Sequence, residues 1–201
     1  MPTLVFACGG ECGQQGTVGQ HFSLTGTGSF STTTVRTGAR SYRVNPTLGN
    51  AYWQSINLGA ASVWTWRSYL RFATLPTLTC DVMSVVTGVT TGAYFNSVDS
   101  KLYAGYFNVT AQLGATGIAV TTGVWYRVDV KVDVSANPWT IDVRVDGEAA
   151  GQQTRANAAG SASSLVLGIS EVSPTADIFY DDIAVSNTAA DYPLGAGQGW
   201  C

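Results

Sequence analysis

Apolar and polar residues alternate with a two-residue period through much of the chain, most cleanly in WYRVDVKVDV. Tyr126, Val128, Val130, Val132 and Val134 fall on one side of that stretch, and Arg127, Asp129, Lys131 and Asp133 on the other. After the turn SANP, the segment WTIDVRVDG repeats the arrangement, with Ile141, Val143 and Val145 against Asp142, Arg144 and Asp146. Side chains of a strand point alternately to opposite faces, so this pattern predicts an antiparallel hairpin with one dry and one solvated face. A second stretch, VWTWRSYLRF over 63–72, sets Trp64, Trp66, Leu70 and Phe72 towards a core and Thr65, Arg67, Tyr69 and Arg71 away from it. Shorter runs of the same kind occupy 41–46, 51–58, 80–88, 92–98, 101–107, 117–120 and 164–170, separated by Gly, Asn, Pro or Ser. No stretch sustains a helical period. Many short strands with neither internal repeat nor linker predict one all-β domain of two antiparallel sheets.

Composition narrows the setting. Of 201 residues only 11% are charged, against about 25% in ordinary soluble domains. The lysines are Lys101 and Lys131 alone, so the surface is made by Thr, Ser, Asn, Gln and Gly. The net charge is −3 with no basic run, which excludes an electrostatic nucleic-acid interface. No apolar stretch approaches the ~20 residues of a membrane-spanning helix. The opening MPTLVFACGGECG has no basic segment and only a short apolar run, so no signal peptide is expected. Residues 1–20 are Gly-rich and read as an N-terminal arm, 21–195 as the sandwich and 196–201 as a tail. Cys8, Cys12, Cys80 and Cys201 do not have zinc-site spacing. Cys80 reads as a buried apolar residue, while a bridge from Cys201 to Cys8 or Cys12 and four free thiols stand as equal alternatives.

Little in the chain suggests bond-breaking chemistry. A glycosidase on a strand needs two carboxylates flanking the sugar bond, whereas Glu11, Glu148 and Glu171 are isolated from one another. Asp129/Asp133 and Asp142/Asp146 have suitable spacing but lie on the charged side of the hairpin, where they read as solvated surface charges. His21 is the sole histidine, which leaves a nucleophile–base site one candidate only. No catalytic residue is therefore assigned. Sugar binding needs an accessible aromatic ring among polar groups. Arg67, Tyr69 and Arg71 offer such a face, joined by Trp53 or Arg43, while Trp64, Trp66, Trp125 and Trp139 read as packing residues. The segment IFYDDIAV poses a separate question. If Ile183 and Val185 face the core, strict alternation turns Asp181 the same way, and a buried carboxylate persists only when it is satisfied. Asp181 and Asp182 read as a structural clasp, accepting bonds from backbone N–H groups or an arginine.

The succession TGARSYRVNP, SYLRFATLP, KLYAGYF, TTGVWYRVDVKVD, IDVRVDGEAA, SLVLGIS and IFYDDIAVSN resembles the LamG-like jelly-roll domains of the concanavalin A-like lectin/glucanase superfamily. The form found in bacteriophage virion proteins is the most similar. The resemblance runs over roughly 28–195 and rests most on the hairpin and the closing FYDDIAV. It implies a jelly-roll β-sandwich, one sheet concave, with first and last strands adjacent. Relatives often hold calcium, for which Asp177, Asp181, Asp182 and Asp191 could supply oxygens, although the spacing lacks the dense acidic loop of a recognised site. Such a fold hosts lectins, hydrolases, lyases and structural modules alike. The expectation drawn from it is a non-enzymatic virion structural protein, on capsid or tail, assembled with other virion proteins or further copies of itself. A carbohydrate-binding adhesin is the alternative, and a divergent polysaccharide hydrolase or lyase the third reading.

Overall fold

A computed structural model describes residues 4–8 (backbone only), 22–55, 58–86 and 88–194. The strands follow one another as β1 (Leu4–Cys8), β2 (Phe22–Gly26), β3 (Gly28–Ser31), β4 (Ser41–Val44), β5 (Ala51–Ser55), β6 (Val63–Thr74), β7 (Cys80–Val86) and β8 (Thr90–Asn96). They continue as β9 (Lys101–Asn108), β10 (Thr110–Leu113), β11 (Ile118–Ala119), β12 (Trp125–Asp133), β13 (Trp139–Val145), β14 (Glu148–Arg155), β15 (Leu165–Ile169) and β16 (Asp177–Ser186). Among the described residues the only helical element is a 3-10 turn at Ala189–Asp191.

These strands form two antiparallel sheets. Sheet A runs β14-β13-β12-β6-β16-β4-β3, with β1 also on β16, and sheet B runs β10-β9-β8-β7-β15-β5-β2, with β11 on β9. The predicted hairpin is β12–β13, with Val128 opposite Val145, Val130 opposite Val143 and Val132 opposite Ile141. On its other edge β12 pairs with β6, which sets Val130 beside Trp66 and Val132 beside Trp64. All of these side chains are buried, and with Leu70, Phe72, Ile178, Tyr180, Ile183 and Val185 they make sheet A's half of the core. Sheet B contributes Val82, Met83, Val85, Phe95, Leu102, Leu165, Leu167 and Ile169. Burying each large apolar side chain contributes about 1.5–3 kcal/mol. The two inner faces thus close a jelly-roll sandwich.

The N-terminal region departs from the expected arm. Leu4–Cys8 forms β1 and pairs antiparallel with β16, Phe6 opposite Val185 and Cys8 opposite Ile183. β4 covers only Ile178–Tyr180 on that edge of β16, so the backbone groups further along need a second partner. The rest of 1–20, with His21, Glu11, Cys12 and the 196–201 tail, lies outside the described residues. First and last strands are neighbours, as the resemblance implied.

Trp53 also departs from expectation. In AYWQS two aromatic residues are adjacent, so alternation alone does not decide which one turns inward. The structure buries Trp53 with Ala51 and Ser55 and leaves Tyr52 and Gln54 on the outer side. Its ring packs 5.1 Å from those of Phe30 and Tyr42, and Nε1 donates to the Arg43 carbonyl. Trp53 is a core residue of sheet B and does not join the Arg67 face.

Candidate functional site

β6 places Thr65, Arg67, Tyr69 and Arg71 on the outer face of sheet A, opposite its core-facing tryptophans. Register then brings Arg127 beside Tyr69 and Asp129 beside Arg67 from β12, while β16 adds Asp181 beside Tyr69. The face is partly roofed by the β3–β4 loop. From that loop the Arg36 guanidinium lies 3.3 Å from the centroid of the Tyr69 ring and pairs with Asp182, which also accepts from the Thr37 hydroxyl. Arg71 Nε donates to the Gly123 carbonyl at 3.1 Å. Tyr69 and Arg71 remain partly exposed, whereas Arg67 is only 3% exposed. Three of the four residues expected to hold a sugar therefore share one face.

A β-bulge answers the question raised by IFYDDIAV. Asp181 stands opposite Tyr69, but Ala184 stands opposite Arg67, so β16 carries one residue more than β6 between these pairs. The extra residue resets the alternation. Ile178 and Tyr180 face the core before the bulge and Ile183 and Val185 after it, so Asp181 faces outward. Asp182 sits at the bulge with φ 49°, a left-handed conformation that aspartate tolerates better than most residues. Although outward, Asp181 is fully buried beneath the loop. Oδ2 accepts from the Arg36 N–H (2.9 Å) and the Thr37 N–H (3.3 Å), and Oδ1 from the Asp182 N–H. Burial raises its pKa, and the backbone donors work against that rise. Asp181→Ala should cost about 1–3 kcal/mol, since it leaves buried N–H groups without an acceptor. Urea denaturation measures it; an unchanged midpoint would mean that the loop does not depend on this carboxylate.

The remaining acids of the calcium alternative are engaged separately. Both Asp177 oxygens receive Arg43, from Nε and Nη2, each at 2.8 Å. Asp191 accepts from the Ser186 hydroxyl at 2.6 Å. Among the described residues no three His, Cys, Asp or Glu side chains gather as a metal site.

Beyond β16, residues 187–194 turn back across sheet A as a strap. The Tyr192 hydroxyl donates to Asp142, and its ring lies 5.7 Å from the Arg144 guanidinium carbon. Burial and the Asp142 bond push the tyrosine pKa up. The Leu194 carbonyl accepts from Arg67 Nη1 and Arg127 Nη2, and Leu194 itself is buried. Beneath it Arg127 pairs with Asp129, Nε to Oδ2 at 2.8 Å. Asp129, expected on a solvated face, is completely buried. Burial raises its pKa, while Arg127, Arg67 and Arg144 act against the rise. The strap has no two-residue pattern, so nothing in its residues announces that this part of the charged face is covered.

The outer face of sheet B holds a second polar cluster. Asp81 is completely buried there, accepting from the Ser170 N–H (3.0 Å), the Ser170 hydroxyl (2.7 Å) and the Ser84 hydroxyl (3.2 Å). Glu171, next in the chain, accepts from Thr90. The Tyr94 ring lies against glycine backbone, where a Cβ on Gly105 would come within 3.0 Å of it, and its hydroxyl donates to the Thr90 carbonyl. Beyond this cluster a mainly apolar cavity of about 410 Å³ opens between Leu78, Phe107, Leu113 and Val172. Taking Cys80 as a buried apolar residue leaves its neighbour Asp81 without a role at the level of sequence. A lone carboxylate in an apolar run was the available signal, as at Asp181. Cys80 is a free, buried thiol, its pKa pushed well up by burial.

No protein-family profile matches the chain, and no curated protein matches it in sequence. Solved structures share its fold. Cellulose induced protein Cip1 superposes with a TM-score of 0.71 at 12% identity, over 91% of this chain and 97% of that one. The carbohydrate binding module CBM66 from Bacillus subtilis gives 0.54 at 10% identity, over 83% and 96%. A Trypanosoma rangeli sialidase gives 0.51 at 14% identity, and there the match spans 73% of this chain but only 25% of the sialidase. At such identities the likeness establishes the two-sheet jelly-roll sandwich and nothing finer.

Proposed function

We propose that the chain is a carbohydrate-binding jelly-roll, an adhesin without catalytic activity, that holds glycan on the outer face of sheet A. The observation that carries this reading is the group Arg36, Tyr69, Arg71 and Asp182, in which two guanidinium forks, a ring and a carboxylate are fixed side by side. Sugar hydroxyls are recognised by such fixed donors and acceptors, and prior positioning lowers the entropic cost of binding. The likeness to CBM66 supports this reading over the virion structural role, which rests on composition and resemblance at the level of sequence. The absence of catalysis is part of the proposal. Asp129, Asp181 and Asp182 are each tied to arginines or backbone N–H groups, a poor arrangement for a pair of carboxylates flanking a sugar bond.

A glycan array with labelled protein, followed by titration of the best hit, tests the proposal. Tyr69→Ala with Arg71→Gln should weaken that hit about tenfold or more, as expected when charge-assisted hydrogen bonds are lost, and leave the melting temperature close to the parent's. A protein that retains no glycan, or a double variant that binds as the parent does, would overturn it.

A further inference from the structure

Three guanidinium groups, Arg67, Arg127 and Arg144, act on Asp129 beneath the strap, and Asp142 is held there by Tyr192. Among the described residues Arg144 Nε is buried with no hydrogen-bond partner. The donors of Arg67 and Arg127 converge on a neutral peptide oxygen, that of Leu194. Guanidinium groups bind carboxylate oxygens in preference to a carbonyl, because the bond is charge-assisted and can be bidentate. The oxygen that occupies this point belongs to an irregular segment that adds no strand to the sheet. The strap's own backbone bonds run within it, Asp191 N–H to Thr188 and Tyr192 N–H to Ala189. Its attachments include the Ser186–Asp191 and Tyr192–Asp142 side-chain bonds, the Tyr192 ring against Arg144 and the buried Leu194 residue itself.

We propose that the sheet A site continues beneath the 187–194 strap and that its ligand is an acidic glycan, one carboxylate of which displaces the Leu194 carbonyl between Arg67 and Arg127. The strap is then an internal competitor. A site open for only a fraction of the time binds more weakly by that fraction, so loosening the strap raises apparent affinity. This inference rests on the glycan-binding reading above, and it adds both the class of sugar and the means by which access is set. It also accounts for Asp129: without a counter-charge, the buried guanidinium groups would repel one another whenever the carbonyl departs.

The test uses the full chain with polygalacturonate and its fully methyl-esterified form, which has the same backbone without the charge. The parent should prefer the acid form, and raised salt should reduce that preference. Ser186→Ala and Tyr192→Phe each release one strap attachment, and at least one of them should bind the acid form severalfold more tightly. Arg127→Gln with Asp129→Asn removes the ion pair together, so no lone charge is buried. It should lose about tenfold in acid binding and keep the binding of the neutral form made through Arg36, Tyr69 and Arg71. Binding of neutral glycan without acid preference, or strap variants that both bind as the parent does, would overturn this inference and leave the broader reading standing. If neither the array nor either polymer shows binding, both fall together.

Discussion

Val130→Asp should abolish stable folding at room temperature. Val130 is completely buried, set between Trp66 on β6 and Val143 on β13. The side chains of that inner layer hold no counter-charge for a carboxylate, and one indole N–H, that of Trp66, does not replace the hydration it would lose. A buried, unpaired charge costs several kcal/mol even after its pKa adjusts, and a domain of this size has only about 5–15 kcal/mol in all. Val130→Ala separates the two parts of the effect. It opens a small void and loses transfer free energy, which should cost about 1–3 kcal/mol and leave a cooperative urea transition. An aspartate variant that unfolds at the same urea concentration as the alanine variant would show that residue 130 reaches water and that the β12 register is wrong.

Asp81→Asn should flatten a pH dependence that the parent shows between pH 4 and pH 7. Burial pushes the Asp81 carboxyl from 3.8 up to about 6, with Glu171 adding a smaller push and the Ser170 and Ser84 hydrogen bonds opposing both. In the folded chain the proton therefore stays on over a pH range in which the unfolded chain has released it. The protonated carboxyl contributes stability that is complete below about pH 3.8 and is lost as pH rises through about 6. The difference is worth about 3 kcal/mol. Asparagine keeps an acceptor for the Ser170 N–H and carries no charge, and both serine hydroxyls can rotate to accept from its amide. At pH 8 the variant should be the more stable protein, and near pH 4 the two should be alike. Asp129 and Asp181 are shifted in the same direction, so the difference between the two profiles, and not the parent's slope alone, is the measurement. Parallel profiles would mean that Asp81 is hydrated or paired.

The sandwich and its hairpin were legible because the alternating valines of the hairpin and their charged neighbours admit one register only. The same two-residue logic failed wherever a strand was irregular. At Asp181 an inserted residue resets the alternation, and nothing local in FYDDIAV announces a bulge. At β5 the adjacent aromatics Tyr52 and Trp53 leave parity to be settled by packing against Phe30 and Tyr42. On β12 alternation gave the correct outward direction for Asp129, yet outward did not mean wet, because a distant, unpatterned segment covers it. Arg67, Tyr69 and Arg71 could be found because all three lie on one uninterrupted strand. Arg36, Arg127 and Arg144 reach the same face from other parts of the chain, and only the tertiary fold brings them together.

The position of β16 has a consequence for how the chain is made. The ribosome produces it after the other fifteen strands of the described residues, yet in sheet A it lies between β6 on one edge and β4 with β1 on the other. Until it emerges, β6 and β4 each present an open row of N–H and C=O groups over an apolar face. Such edges invite pairing with another chain. Sheet A therefore cannot be completed before β16 has emerged, and its closure must wait for contacts that join distant parts of the sequence, which are slow to form. On crowded polysomes, nascent chains still short of β16 would hold such edges close to one another.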